Sequence, residues 1–204
     1  MVVARERLCS GLEPDPLWEE IAACRRCPRM IPIPKTHRGQ IPSPFLVVGQ
    51  APAKGDGRAY RPFGNPGGGG GLFRWLAEEG IEEEWFRARA YLTALVKCYP
   101  GKGTGGKGDR SPSRLERENC APYLERELAL VRPEVVITVG ALALGSFLPG
   151  FSLNEAVGRE FPWGQGRVLI PLPHPSGASL WNNEPANREL RRQAVGLLTG
   201  KWPE

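Results

Sequence analysis

LVVGQAPAKGDGRAYRPFGNPGGGGG, Leu46 to Gly71, starts as an apolar run of strand length and ends in five consecutive glycines. Its first half decides the fold. A run that is apolar on both faces fits a strand covered from two sides. Runs of the same kind recur at AYLTALVKC (Ala90–Cys98), PEVVITVG (Pro133–Gly140) and RVLIPLP (Arg167–Pro173). Helix-like segments separate them: GLFRWLAEEG, closing at Gly80, and a segment from Ser113 whose Ser-x-x-Glu box with Glu116 marks its start. Pro122 is expected to break or kink that second helix. The short ALALGSFL and the final EPANRELRRQAVGLL, with Pro185 near its first turn, complete the set. Ahead of the first strand, DPLWEEIAACRRC predicts a helix with Asp15 as N-cap and Pro16 at the first helical position.

Strands alternating with helices predict an α/β domain, a three-layer α/β/α sandwich around a central, mostly parallel four-stranded sheet. Neither a repeat nor a linker interrupts the 204 residues, so one domain spans 1–204, with Met1–Pro14 loosely held. The first residues, MVVARERLCSGLEPD, place charge where a signal peptide has its apolar stretch, and no run approaches the roughly 18 residues of a membrane span. The chain therefore reads as soluble and cytoplasmic, with no membrane role, and as a monomer. A formal net charge of +5, carried mainly by arginine, makes an anionic partner plausible, since guanidinium groups fork onto phosphates.

In open parallel sheets, ligands bind beyond the carboxyl ends of the strands. That rule selects Gln50–Gly71, Cys98–Ser113 and HPSGAS (His174–Ser179), and predicts that they converge on one crevice. The glycine run is no dinucleotide fingerprint, because about twenty residues separate Gly49 from the helix it would have to open. GKGTGGKG fits G-x-x-x-x-G-K from Gly101 to Lys107. Gly108 then stands where a phosphate loop needs a hydroxyl, and no helix begins there. This loop reads as a basic surface turn.

Five cysteines occur, Cys9, Cys24, Cys27, Cys98 and Cys120. A disulfide framework does not suit a reducing compartment. Cys24 and Cys27 form a close pair in CRRCP, while Cys98 and Cys120 are far apart, unlike the second pair of a zinc ribbon. Four thiolates gathered by folding suit a zinc ion or an iron-sulfur cluster. Cys98 and Cys120 as small buried apolar residues is the remaining alternative, and Cys9 is left over.

The motifs, taken in order, resemble the uracil-DNA glycosylase superfamily, specifically its iron-sulfur branches: GQAPA the first motif, RPF the base-stacking segment, YLTALVKC the central strand and HPSGAS the second motif. The order of the cysteines agrees. The resemblance, over roughly Leu17–Leu198, implies a DNA repair glycosylase with a 4Fe-4S cluster held by Cys24, Cys27, Cys98 and Cys120. It implies that Phe63 stacks on an extruded pyrimidine, that the backbone at Gly49, Gln50 and Ala51 faces the base oxygens, and that Ala94 stands where some relatives read uracil with asparagine. His174 would donate to the base O2, with Ser176 beside it. Gly70 and Gly71 let the helix N-terminus approach a DNA phosphate, and Ser179, Lys54, Arg58, Lys97 and Arg110 would line the DNA face.

Departures from the family's pattern concern water activation. Gln50 and Ala51 stand where several relatives carry an acid, and GNPGG (Gly64–Gly68) follows Phe63 where another branch has one. Three answers stay open: Asp56 swings in, the Asn65 amide orients water, or anion stabilisation by His174 suffices; Asn65 is preferred. The longer gap between Cys98 and Cys120 is a further departure. Two other functions are weighed beside the glycosylase, an inactive DNA-binding relative and an iron-sulfur or zinc-braced binding or electron-transfer module.

Overall fold

The computed structural model of the chain describes residues 16–33, 39–54, 62–63, 70–106, 108–176 and 179–201. Helix α1 (Leu17–Ala23) begins one residue after Pro16, which occupies the N-cap; Asp15 lies outside the described residues. A two-residue strand, β1 (Ile31–Pro32), precedes the apolar run, which forms β2 (Phe45–Gly49) with every side chain buried. Then come α2 (Gly70–Glu78), α3 (Glu83–Arg89) and β3 (Ala90–Ala94). Gly80 at φ +80° ends α2 in a conformation that glycine adopts without penalty. β4 (Cys98–Tyr99), α4 (Arg114–Val131), β5 (Val135–Val139), α5 (Ala141–Phe147), α6 (Leu153–Ala156), β6 (Phe161–Pro162), β7 (Val168–Leu172) and α7 (Pro185–Thr199) complete the order.

The central sheet runs β3-β2-β5-β7-β6, the first four strands parallel and β6 antiparallel at the edge. β6 is thus a fifth strand beyond the four expected. Alternation of side chains splits each strand between two layers. Phe45, Val47, Leu92, Ile137 and Ile170 pack with α2, α3 and α7, whereas Leu46, Val48, Tyr91, Val136 and Leu169 pack with α4, α5 and α6. Each buried side chain of this kind contributes about 1.5–3 kcal/mol. β2 hands its chain to the first layer and β5 to the second, so neighbouring strands diverge at their carboxyl ends. A crevice opens there.

Two expectations are corrected. Pro122 does not end its helix, which runs 18 residues from the capping box of Ser113 and Glu116 to Val131. An interior proline costs about 3 kcal/mol, and burial of Tyr123, Leu124 and Val131 along the same helix outweighs it. Nor does the strand read at Ala90–Cys98 continue: it stops at Ala94, and Cys98–Tyr99 pair antiparallel with β1 in a separate ladder. Among the described residues no helix is long and apolar enough to cross a membrane.

Candidate active site

Three glycines without side chains shape the crevice. At the end of β2, a Cβ on Gly49 would lie 2.9 Å from Cζ of Phe63, so the phenyl ring rests on bare backbone. Phe63 itself sits at φ +60°, a left-handed conformation costing a non-glycine residue about 1–3 kcal/mol. Packing of the ring on the core beside α2 helps to hold it there. At the end of β5, Gly140, at φ +90°, lies against His174, with Cβ of the histidine 3.3 Å and Cδ2 3.5 Å from where a side chain would begin. The third, Gly71 in α2, meets the carbonyl of Pro175 at 2.6 Å from its would-be Cβ. Because β2 and β5 are paired neighbours, with Val48 opposite Thr138, the phenyl and the imidazole stand on adjacent strand tips. Gly71 locks the glycine helix onto the histidine loop.

His174 is partly buried, and desolvation lowers its pKa below the usual 6.5, favouring the neutral ring. The backbone N–H of Ser176 donates to Nδ1 at 3.2 Å, and Ser176 Oγ lies 2.9 Å from the same nitrogen. An amide N–H can only donate, so Nδ1 is an acceptor and the neutral ring carries its proton on Nε2. Asn182 fixes the backbone, its Nδ2 donating to the His174 carbonyl at 2.9 Å. Asn182 Oδ1 is buried with no hydrogen-bond partner among the described residues.

The remaining candidate residues separate into groups. Gln50 and Ala51 follow Gly49 and are half-buried, and Ala94 is Gly49's partner across the ladder. Ser179 donates its N–H to the Ser176 carbonyl and starts the 3-10 turn Leu180–Asn183. Gly70 is the first residue of α2, and Lys54 is exposed. Asp56, Arg58 and Asn65 lie outside the described residues. Lys97 is a correction: its side chain is 2% exposed and its ammonium pairs with the buried Glu127, so it cannot line a DNA face. Arg110 is another, because its guanidinium forks onto Glu116 at 2.6 and 2.7 Å, holding that carboxyl down at about 2. The sequence reading missed Gly140, Asn182 and Leu180. Gly140 could have been found as a glycine at a strand tip, and Leu180, 77% exposed, as a large apolar residue in a polar loop.

On the opposite layer, Cys24 after α1, Cys27, Cys98 in β4 and Cys120 in α4 line one cavity of about 340 Å³. All four are free thiols. Burial first, then the negative charge of Cys120, Cys24 and Cys27, pushes Cys98 up to about 11. A positively charged metal centre would relieve that cost. One of the sulfurs has a hydrogen-bonding neighbour, the Asn119 side-chain amide, which donates to Cys27 at 3.6 Å. No three described His, Cys, Asp or Glu side chains form a group that could hold a single metal ion. One zinc would need sulfurs about 2.3 Å from a common point. These thiols surround a space instead, which fits a group with volume.

The family model for the uracil DNA glycosylase superfamily matches residues 36–198. The type-4 uracil-DNA glycosylase of Thermotoga maritima is 29% identical over 181 residues, 85% of each chain. That of Archaeoglobus fulgidus is 27% identical over 202 residues, 92% of this chain and 94% of the relative. A type-5 uracil-DNA glycosylase of Pyrobaculum aerophilum is 27% identical over 178 residues, 70% of this chain and 76% of its own.

Proposed function

The chain belongs to the uracil-DNA glycosylase superfamily, and from that premise we propose that it is a DNA repair glycosylase. It hydrolyses the N-glycosidic bond of uracil, or a related deaminated base, after the nucleotide is turned out of the helix. The observation that carries the reading is the amide of Ser176 on His174 Nδ1, which leaves Nε2 as a neutral N–H donor at the tip of β7. As the bond between C1′ and the base nitrogen breaks, electrons pass to the base and collect on its oxygens. A donor fixed beforehand stabilises that anion at no reorganisation cost. Water adds its hydroxyl to C1′, and its proton neutralises the system. A neutral imidazole suits this role, since it need not give up its proton.

Phe63 provides the stacking face, and the backbone after Gly49 the base-edge contacts. Asn65 is the group we assign to water: it lies two residues from Phe63, within about 7 Å of chain. Lys54, Arg58 and Ser179 contact phosphates, and Leu180 is an apolar wedge for the gap left by the base. Cys24, Cys27, Cys98 and Cys120 would hold a 4Fe-4S cluster, which would brace the segment after α1 against β4 and α4. Support comes from the shared cavity and the Asn119 amide donating to Cys27.

The test is incubation with a uracil-containing oligonucleotide followed by alkali. Scission at the uracil is expected, and its absence at high enzyme excess would defeat the reading. Gln50 and Ala51 in place of a carboxylate favour one second reading, a relative that binds without cleaving. A gel shift on uracil DNA with no base release would support that one instead.

A further inference from the structure

The three residues after β3 link two different places. Leu95 N–H donates to the Gly49 carbonyl at 2.9 Å and Val96 N–H to the Gln50 carbonyl at 3.4 Å. The residue after them, Lys97, leads directly into Cys98, which lines the thiol cavity. One edge of this strap therefore holds the backbone beneath Phe63, and the other holds a wall of the thiol cavity. Side chains repeat the pattern, for Ala51 packs in the same cluster as Val96, Cys98 and Cys120.

Lys97 fastens the strap. All three ammonium hydrogens have acceptors: Thr93 Oγ1 at 2.7 Å, the Ala94 carbonyl at 2.7 Å and Glu127 Oε2 at 2.5 Å. Glu127, on α4 and with no exposed surface, also accepts from the Tyr91 and Thr93 hydroxyls. Burying two charges is a poor way to stabilise a fold, since well-packed apolar residues of similar size serve as well or better. What an apolar pair cannot do is grip the Ala94 carbonyl, opposite Gly49, and hold the turn that follows.

We propose that the buried Lys97–Glu127 pair is a positioning element for the base pocket, clamping Leu95–Lys97 so that base affinity depends on what fills the thiol cavity. It rests on the glycosylase reading, and neither residue touches the base. By linkage, the factor by which filling the thiol cavity strengthens base binding is also the factor by which bound base strengthens the hold on what fills the cavity.

The double variant Lys97→Met/Glu127→Leu removes both charges together and avoids stranding one. Loaded protein with parental thermal midpoint and parental visible absorption is expected, with kcat/KM on a uracil oligonucleotide lowered roughly ten- to hundredfold. Parental kcat/KM in a folded, loaded double variant overturns the proposal. Should the double variant not fold, hydrogen exchange on the unaltered protein decides. Stripping the metal with a chelator is expected to speed exchange at Leu95 and Val96 while leaving Val135–Val139 protected. Unchanged rates, or equal acceleration in β5, overturn it. A parent protein that shows the exchange response but cleaves nothing would defeat the glycosylase reading and leave the strap standing.

Discussion

The strand-tip crevice and the thiol cavity are built by opposite means. Missing atoms define the crevice: Gly49, Gly71 and Gly140 admit Phe63, Pro175 and His174 to distances at which any Cβ would collide or crowd. Added atoms define the cavity, where four sulfurs, two from the segment after α1, one from β4 and one from α4, line a common space. The first should therefore fail when a methyl group is gained and the second when a sulfur is lost. Failure in the crevice should leave the cavity's absorption intact, whereas failure in the cavity should reach the crevice only in part, through Leu95–Lys97.

His174→Ala gives the largest separation: cleavage should fall about 10²- to 10³-fold in single-turnover assays, with the visible absorption of the metal centre unchanged. Gly71→Ala comes next, because its methyl meets backbone, the Pro175 carbonyl, which must move and take His174 with it. A ten- to hundredfold drop is expected, whereas Gly49→Ala, which meets only the tip of the Phe63 ring, should cost less. Cys98→Ser runs the comparison in reverse. It should abolish the visible absorption and lower the thermal midpoint, while folded molecules lose less cleavage than His174→Ala does.

Acidity sharpens the contrast further. His174 has a folded pKa below 6.5, so the unfolded chain binds the extra proton first. The stability tied to its neutral form is complete above about 6.5 and is lost as pH falls through the lower folded value. Cleavage should follow the same course, flat at neutral pH and declining only below that value, as a pH–rate profile would show. Leu180→Ala carries the smallest effect, a severalfold loss confined to duplex substrate, since a single strand offers no gap to fill.

The parts of this molecule that rest on periodicity could be read in advance. β2, β3, β5 and β7 are apolar on both faces because helices cover both, and the motif loops follow from the rule that binding occurs at strand ends. Glu83–Arg89 escaped because α3 presents only Phe86 as a fully buried residue, among charges that resemble a surface loop. Pro162 hid β6, since proline argues against a strand except at an edge, where this one lies. Lys97 was misread for a deeper reason: its partner Glu127 is 30 residues away, and nothing local distinguishes a lysine meeting a phosphate from one meeting a buried carboxylate. The thiols were legible as a set, but their arrangement around a space could not be read from spacing.

The short edge strand has one more consequence. Sheets with long open margins invite other chains to add strands and so to aggregate. Here the β6 margin is only two residues long, and one of them, the exposed Pro162, has no amide hydrogen to offer. An incoming strand finds too few donors to grip along that margin.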